Sequence, residues 1–149
     1  MNMNQITDAR NRDFANRCLD IFKAEYSGGR ILPLREIVER AIAQPPKSFY
    51  VSYDRASLLM HRAERLGIDR VFGKGAGRGL WKELYETVKA LQERHPGLSM
   101  AMALCHAINF CRPSRFHITP DTGVRILSGR RYTRMADSNE HSYFKSHLL

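Results

Sequence analysis

Apolar side chains recur at helical spacing near the start of the chain. One stripe consists of Phe14, Cys18, Ile21 and Phe22. Their spacing of i, i+4, i+7 and i+8 puts them on one face of an amphipathic helix. Gly28-Gly29 follows at the point where the stripe stops. The pattern therefore predicts a first helix that ends at this glycine pair.

A second and a third helix follow, separated by a short extended segment. Residues 34–41 carry the second apolar stripe, with Pro33 expected in the first turn and Pro45-Pro46 as the stop. Residues 48–51 are mostly aromatic or β-branched and too few for a helix, which favours an extended conformation. Ser52 is a good N-cap for the third helix. That helix is predicted to bury Ala56, Leu59, Met60 and Ala63 and to end at Gly67.

The same pattern recurs 67 residues later. At this offset Pro46, Phe49 and Asp54 align with Pro113, Phe116 and Asp121. Upstream of these segments, the apolar positions of the first two helices in the first copy align with apolar positions in the second copy at the same offset, without a gap. In the second copy Ser99 caps the second helix, 116–118 is the extended segment, and Thr119-Pro120-Asp121 starts the third. Gly123 is expected to keep this last helix short.

These elements predict a mainly α fold, a tandem repeat of one helix–helix–short strand–helix unit. The two short strands could pair as a small two-stranded β element. The predicted boundaries are 8–69 for the first helical unit, 70–79 for a glycine-rich basic linker, 80–131 for the second helical unit and 132–149 for a flexible tail.

Composition places the chain among soluble globular proteins. Of its 149 residues 43% are hydrophobic, enough for a packed core. No apolar run is long enough for a transmembrane helix, and the first residues have no apolar core of a secretory signal. Cys18 and Cys105 fall on predicted apolar helix faces, which favours reduced, buried thiols in the cytoplasm. The expected location is therefore cytoplasmic, without a membrane partner.

The formal net charge of +9 is concentrated in two stretches. Residues 70–82 contribute +4 and residues 110–134 contribute +5. Clustered basic charge suits a polyanionic partner. The alternative is a basic surface that only keeps the protein soluble.

Candidate catalytic and metal-binding motifs are weak. The glycine-rich segment 73–79 lacks the Gly-Lys-[Ser/Thr] of a phosphate-binding loop, so a linker is the favoured interpretation. Cys105, His106, Cys111 and His117 cluster in sequence, but lack the paired close ligands of a zinc site. No nucleophile elbow or cysteine-protease signature is present. The prediction is a protein that is not an enzyme and has no metal or cofactor.

The aromatic pairs Phe49-Tyr50 and Phe116-His117 allow two interpretations. Aromatic side chains next to basic residues can stack on single-stranded nucleic acid. Alternation along a short strand instead places Phe49 and Phe116 in the core and Tyr50 and His117 outside. The core interpretation is favoured.

Two helices followed by a capped, arginine-bearing helix resemble the layout of helix-turn-helix DNA-binding units. The chain also resembles small, uncharacterised basic proteins of bacterial phages and mobile elements. That resemblance is carried by Phe-Tyr-Val-Ser-x-x-x-Ala at 49–56 and its second copy and covers most of 10–130. It implies no established activity.

The resulting hypothesis is a non-enzymatic protein that binds nucleic acid, expected to be DNA. The second unit and the linker are expected to do most of the binding. The predicted contacts are Arg55, Arg62, Arg65, Lys74, Arg78, Arg112, Arg115, Arg125, Arg130, Arg131 and Arg134. The alternative is a structural or adaptor protein of a phage or mobile element, with a second copy or another protein as its partner, in part through the tail.

Overall fold

A computed structural model describes residues 2–75 and 77–129. The prediction of a mainly α protein is confirmed. The helices in these ranges are α1 (Met3–Ser27), α2 (Leu34–Ile42), α3 (Tyr53–Leu66), α4 (Ile68–Phe72), α5 (Arg78–Arg94), α6 (Met100–Phe110) and α7 (Pro120–Ser128). None of the helices in the described part is long and apolar enough to cross a membrane. The predicted tail, 132–149, lies outside the described residues.

Three helices begin at the hydroxyl caps that their sequences predict. The hydroxyls of Ser52, Ser99 and Thr119 each accept a hydrogen bond from the backbone N–H three residues on. At the start of α1, Asn2 and Gln5 cap each other's N–H groups at 3.0 and 2.9 Å, the reciprocal pattern of a capping box. These polar side chains satisfy N–H groups that have no partner inside the helix.

The chain forms two compact units that do not follow its order. The central unit comprises Met1–Thr7 and Pro46–Pro113, and the terminal unit comprises Asp8–Pro45 with the chain from Ser114 onward. These units differ from the predicted boundaries of 8–69 and 80–131. Each unit takes its first two core helices from one predicted copy, and its phenylalanine segment and third helix from the other.

The core of the terminal unit joins α1 and α2 to α7. Phe14 and Phe116 are both buried and meet edge to face, with ring centroids 5.3 Å apart. The backbone N–H of Phe116 donates to the carbonyl of Ile42 at 2.9 Å, which fixes the segment before α7 at the end of α2. The other buried members of this cluster are Cys18, Leu19, Phe22, Leu32, Ile37, Val38, Ala41, Ile118, Ile126 and Leu127.

The core of the central unit joins α3 to α4, α5 and α6. Phe49 occupies this second cluster as Phe116 occupies the first, each with 2% of its surface exposed. The cluster also contains Ala56, Met60, Ala63, Phe72, Leu84, Val88, Leu91, Ala103, Leu104 and Ala107. The core interpretation of the two phenylalanines is therefore confirmed.

The predicted short strands are not found among the described residues, which contain no β-strand. Tyr50 has φ of 55°, a left-handed conformation that interrupts an extended segment. The two segments also lie in different units, with Phe49 in the central core and Phe116 in the terminal core. Each segment places one phenylalanine in the core of its unit.

The predicted linker at 70–79 overlaps two helices, because α4 extends to Phe72 and α5 begins at Arg78. Gly67, at φ 92°, ends α3 as predicted, and α4 begins at the next residue. Phe72 is buried and its ring meets Tyr85 with centroids 6.2 Å apart, so the segment packs within the central unit. Sequence analysis missed α4 because five residues are too few to show a period.

The prediction that Cys105 is buried is wrong, whereas Cys18 is buried as predicted. The buried residues of α6 are Ala103, Leu104 and Ala107, and those of α2 are Ile37, Val38, Ala41 and Ile42. The buried face of α2 aligns with the buried face of α6 at an offset of 66 residues, whereas the two phenylalanine segments align at an offset of 67. α6 contains no charged residue, and its polar residues His106 and Asn109 are both exposed, on the same side as Cys105.

Candidate nucleic-acid interface

The outer face of α3 carries three of the predicted contacts. Arg55, Arg62 and Arg65 are exposed and are spaced by seven and three residues, which places them on one side of the helix. The exposed side chain of Leu58 lies between them on the same side. The opposite side packs into the central core through Ala56, Met60 and Ala63. We call Arg55, Leu58, Arg62 and Arg65 the α3 face.

The local sequence fixes both ends of this face. Ser52 starts α3 by accepting from the N–H of Arg55 at 3.3 Å, and Gly67 ends it. The 14 residues between them make a rod about 21 Å long. Arg55 and Arg65 are therefore about 15 Å apart along the axis.

The arginines of the α3 face are not neutralised within the described residues. None of Arg55, Arg62 and Arg65 has a carboxylate at ion-pair distance there. Arg55 lies over the ring of Trp81, with its guanidinium carbon 5.9 Å from the centroid. This cation–π contact positions Arg55 while leaving its charge free to attract an anion.

The arginines of α2 give the opposite arrangement. Arg35 contacts Asp121 at 3.0 Å and Glu39 at 3.5 Å. Arg40 is paired with two carboxylates as well, Glu25 at 3.1 Å and Glu36 at 3.0 Å. Exposed arginines therefore occur in both units, but those of α2 are locally compensated.

A second basic feature lies at the C-terminal end of α3. An open cleft of about 650 Å³ is lined by residues of α3, α4 and α5, including Arg70, Lys82 and Tyr85. Arg70 and Lys82 are exposed and have no ion pair in the part of the chain that the structure describes. We call this the α3–α5 cleft.

The two carboxylates of the α3–α5 cleft are already paired. Glu64 contacts Lys89, and Asp69 contacts Arg78. The side-chain hydrogen bond with Glu64 raises the pKa of Lys89 above its ordinary value. Burial, followed by the nearby charge of Glu64, raises the pKa of Tyr85. Lys89 is therefore charged and Tyr85 neutral near pH 7, and Arg70 and Lys82 are left as uncompensated charges.

Sequence analysis did not name Arg70 and Lys82 as contacts, although both belong to the basic stretch 70–82. The available signal was that charge count. Their common location depends on the turn at Gly67, which brings α4 back beside α5 and cannot be read from the pattern of α4 alone.

The other predicted contacts are more dispersed. Lys74 is exposed. Arg78 is paired with Asp69 and also donates to the carbonyl of Gly73 at 3.2 Å. Three further arginines donate hydrogen bonds within the chain. Arg112 donates to the carbonyl of Pro46 at 2.7 Å, Arg115 to the carbonyl of Phe116 at 3.3 Å, and Arg125 to the hydroxyl of Thr122 at 3.3 Å. Arg130, Arg131 and Arg134 lie outside the described residues.

The net charge is shared almost equally between the two units. The central unit, which contains α3 and the predicted linker, has eleven basic and six acidic side chains, a net +5, and the terminal unit has a net +4. Among the described residues, no three His, Cys, Asp or Glu side chains are grouped so that they could hold a metal ion.

No protein-family model matches this chain, and neither a curated protein nor a solved structure matches it. We therefore infer the function from the site itself.

Proposed function

We propose that this protein binds nucleic acid, duplex DNA in particular, without catalysing a reaction, and that the α3 face is its principal contact. The observation that carries the proposal is the set of three exposed arginines on one helix face, none of them paired with a carboxylate among the described residues. A duplex supplies a dense array of phosphates for such charges. The proposal places the protein in the cytoplasm, as the sequence predicts.

The dimensions of α3 favour a duplex over a single strand. The major groove of B-DNA is about 12 Å wide and admits one α-helix. A guanidinium group donates to phosphates and pairs in a bidentate manner with guanine. Phe49 and Phe116, the two phenylalanines considered above for stacking on a single strand, are buried.

The two third helices are expected to contribute unequally. In the described part of α7, Arg125 is the basic residue, and it donates to Thr122 at 3.3 Å. Asp121 lies exposed in its first turn and is paired with Arg35. An anionic partner is therefore attracted more strongly to α3 than to α7, and binding is assigned to the central unit.

We also propose that the two predicted copies arose by duplication. The phenylalanine segment and third helix of each copy show the same relations at an offset of 67. Phe49 and Phe116 are equally buried, Ser52 and Thr119 cap in the same manner, and Ala56 and Gly123 are both buried. The offset of 66 between α2 and α6 is accounted for by one residue gained or lost between the helix and the phenylalanine segment.

A salt-dependent binding titration tests the function. The full chain is titrated into a mixed-sequence duplex at several salt concentrations beginning at about 50 mM. We expect log Kd to rise linearly with log salt, because each phosphate contact releases counterions. We expect Arg62→Ala/Arg65→Ala to weaken binding and to make this dependence less steep.

The matched control is Arg35→Ala/Arg40→Ala, which also removes two exposed arginines from one helix. Because these arginines are neutralised by carboxylates, we expect a much smaller effect on DNA affinity. An absence of binding to duplex or single strand at about 50 mM salt contradicts the proposed function. Equal losses in the two double variants contradict the assignment to the α3 face.

A structural or adaptor role is the second candidate, and α6 favours it. This helix has no charged residue, and it exposes 64% of Met102 and 77% of Phe110. Exposed apolar side chains of this size are typical of protein interfaces. If α6 binds a protein, Phe110→Ser should abolish an oligomer seen by sedimentation velocity and leave DNA binding unchanged.

A further inference from the structure

The α3–α5 cleft has the charge balance of an anion site. Its two carboxylates are paired with Lys89 and Arg78 of α5. Arg70, from α4, and Lys82, from the first turns of α5, then remain as exposed cations at the same cleft. Two elements therefore converge to place two positive charges next to the C-terminal end of α3.

The framework of the cleft holds these charges in fixed places. Gly67 turns the chain between α3 and α4, and buried Phe72 anchors α4 against Tyr85 of α5. The ion pair between Asp69 and Arg78 ties the same two helices together on the surface. Arg70 and Lys82 need only their side chains to move in order to meet a ligand.

We propose that the α3–α5 cleft binds phosphodiester groups of the DNA backbone through Arg70 and Lys82 while the α3 face contacts the groove. This inference rests on the proposed function and adds a second contact region to it. The cleft lies at the end of the helix that is assigned to the groove. A helix seated in a major groove has a phosphate backbone along each side, so an anion site beside its end meets a strand.

The ligand class follows from the chemistry of the cleft. Arg70 and Lys82 donate hydrogen bonds to oxygen anions and carry no sequence information in such contacts. The paired state of Glu64 and Asp69 removes the carboxylate repulsion that would otherwise oppose a phosphate. The contribution of the cleft is therefore expected to be independent of base sequence.

The test compares Arg70→Ala/Lys82→Ala with the unmodified chain on two duplexes of different sequence. Each lost phosphate contact should lower the slope of log Kd against log salt by about 0.9. We therefore expect the slope to fall by about 2 and the affinity at low salt to fall by about tenfold or more, equally on both duplexes.

Two controls separate charge from structure. Arg70→Lys/Lys82→Arg retains both cations and should keep the slope of the unmodified chain. Circular dichroism should show the same helix content for all variants, because neither side chain is buried or paired in the described structure. If the alanine variant unfolds, Lys82→Gln alone should still lower the slope by about 1.

The outcomes distinguish this inference from the proposed function. If the chain binds DNA and Arg70→Ala/Lys82→Ala leaves the slope unchanged, the backbone role of the cleft is overturned while the α3 face stands. A loss confined to one of the two duplexes overturns it too, because phosphate contacts do not read sequence. If the unmodified chain binds no DNA, both are overturned.

Discussion

Gly123 lies on the buried face of α7, against α1 and α2 of the terminal unit. A Cβ atom placed there would come within 2.6 Å of Val38 Cγ1 and 3.0 Å of Phe14 Cζ. Both neighbours are fully buried and have little room to move. Gly123 therefore allows α7 to pack closely against α1 and α2. It also lowers the intrinsic helix propensity of α7.

We expect Gly123→Ala to lower the free energy of unfolding. Overpacking a buried site costs about 1–3 kcal/mol, and the better helix propensity of alanine offsets at most about 1 kcal/mol. Urea denaturation measures the difference, with Ser128→Ala at the exposed end of α7 as the control, expected to change stability by less than about 0.5 kcal/mol. A stabilised Gly123→Ala protein contradicts the close packing.

The three thiols differ in accessibility and should react at different rates. Burial raises the pKa of the Cys18 thiol, whereas Cys105 is exposed and Cys111 is half-buried. The thiolate is the reactive form, so alkylation at pH 8 should modify Cys105 first and Cys18 only after denaturant is added. Mass spectrometry of the alkylated peptides gives the order. Labelling of Cys18 as fast as Cys105 in the native protein contradicts the burial.

At the scale of elements, α3 and α7 begin in the same way and differ in their outer faces. Each has a hydroxyl cap and an aspartate in its first turn, a combination that favours a helix start. The N-terminal ends of both helices can be predicted from the sequence, because capping depends on a few adjacent residues. Their different electrostatic roles depend on partners from distant elements, such as Arg35 against Asp121.

We expect Ser52→Ala and Thr119→Ala each to destabilise the protein by about 1 kcal/mol, because each leaves a helix N–H without its acceptor. Thermal or urea unfolding of the full chain measures the effect. Ser57→Ala, within α3 and away from the cap, is the control and should change stability by less than about 0.5 kcal/mol. Equal effects of all three substitutions would show that the caps contribute nothing specific.

For the whole molecule, the defining feature is that each core combines elements distant in sequence. Phe14 packs on Phe116 in the terminal unit, whereas Phe49, from the same predicted copy as Phe14, belongs to the central core. The phenylalanine segments and third helices are thus exchanged between the predicted copies. An isolated fragment 8–69 would contain only part of each core, because the remaining core residues come from later in the chain.

Double-mutant cycles in the full chain test this exchange. For Phe14→Leu combined with Phe116→Leu we expect a coupling energy of about 0.5–1.5 kcal/mol, typical of an aromatic pair. Phe14→Leu combined with Phe49→Leu is the matched control and should be additive within about 0.5 kcal/mol. The reverse result, coupling to Phe49 and additivity with Phe116, would restore the predicted boundaries.

The local features of this protein follow from its residue pattern. Apolar periodicity indicated the main helices, and the hydroxyl caps indicated the starts of α3, α6 and α7. The burial of Phe49 and Phe116 was also predicted, although the short strands assumed for that prediction are not found among the described residues. The clustered charge also directed attention to the basic stretch that contains Arg70 and Lys82. Each of these signals acts over a few residues, so it can be read from the order of the chain.

Tertiary packing alone establishes which elements meet and which charges remain uncompensated. The two predicted copies present similar apolar faces, so local pattern cannot tell whether Phe14 meets Phe49 or Phe116. The side of α6 that carries Cys105 also carries His106 and Asn109, and the structure shows all three exposed. The i,i+4 spacing of Glu36 with Arg40 and of Arg35 with Glu39 can be read from the sequence of α2. Only the structure shows that Glu25 and Asp121, from other elements, also neutralise these arginines. Pairing between elements depends on distance in space, which the sequence does not record.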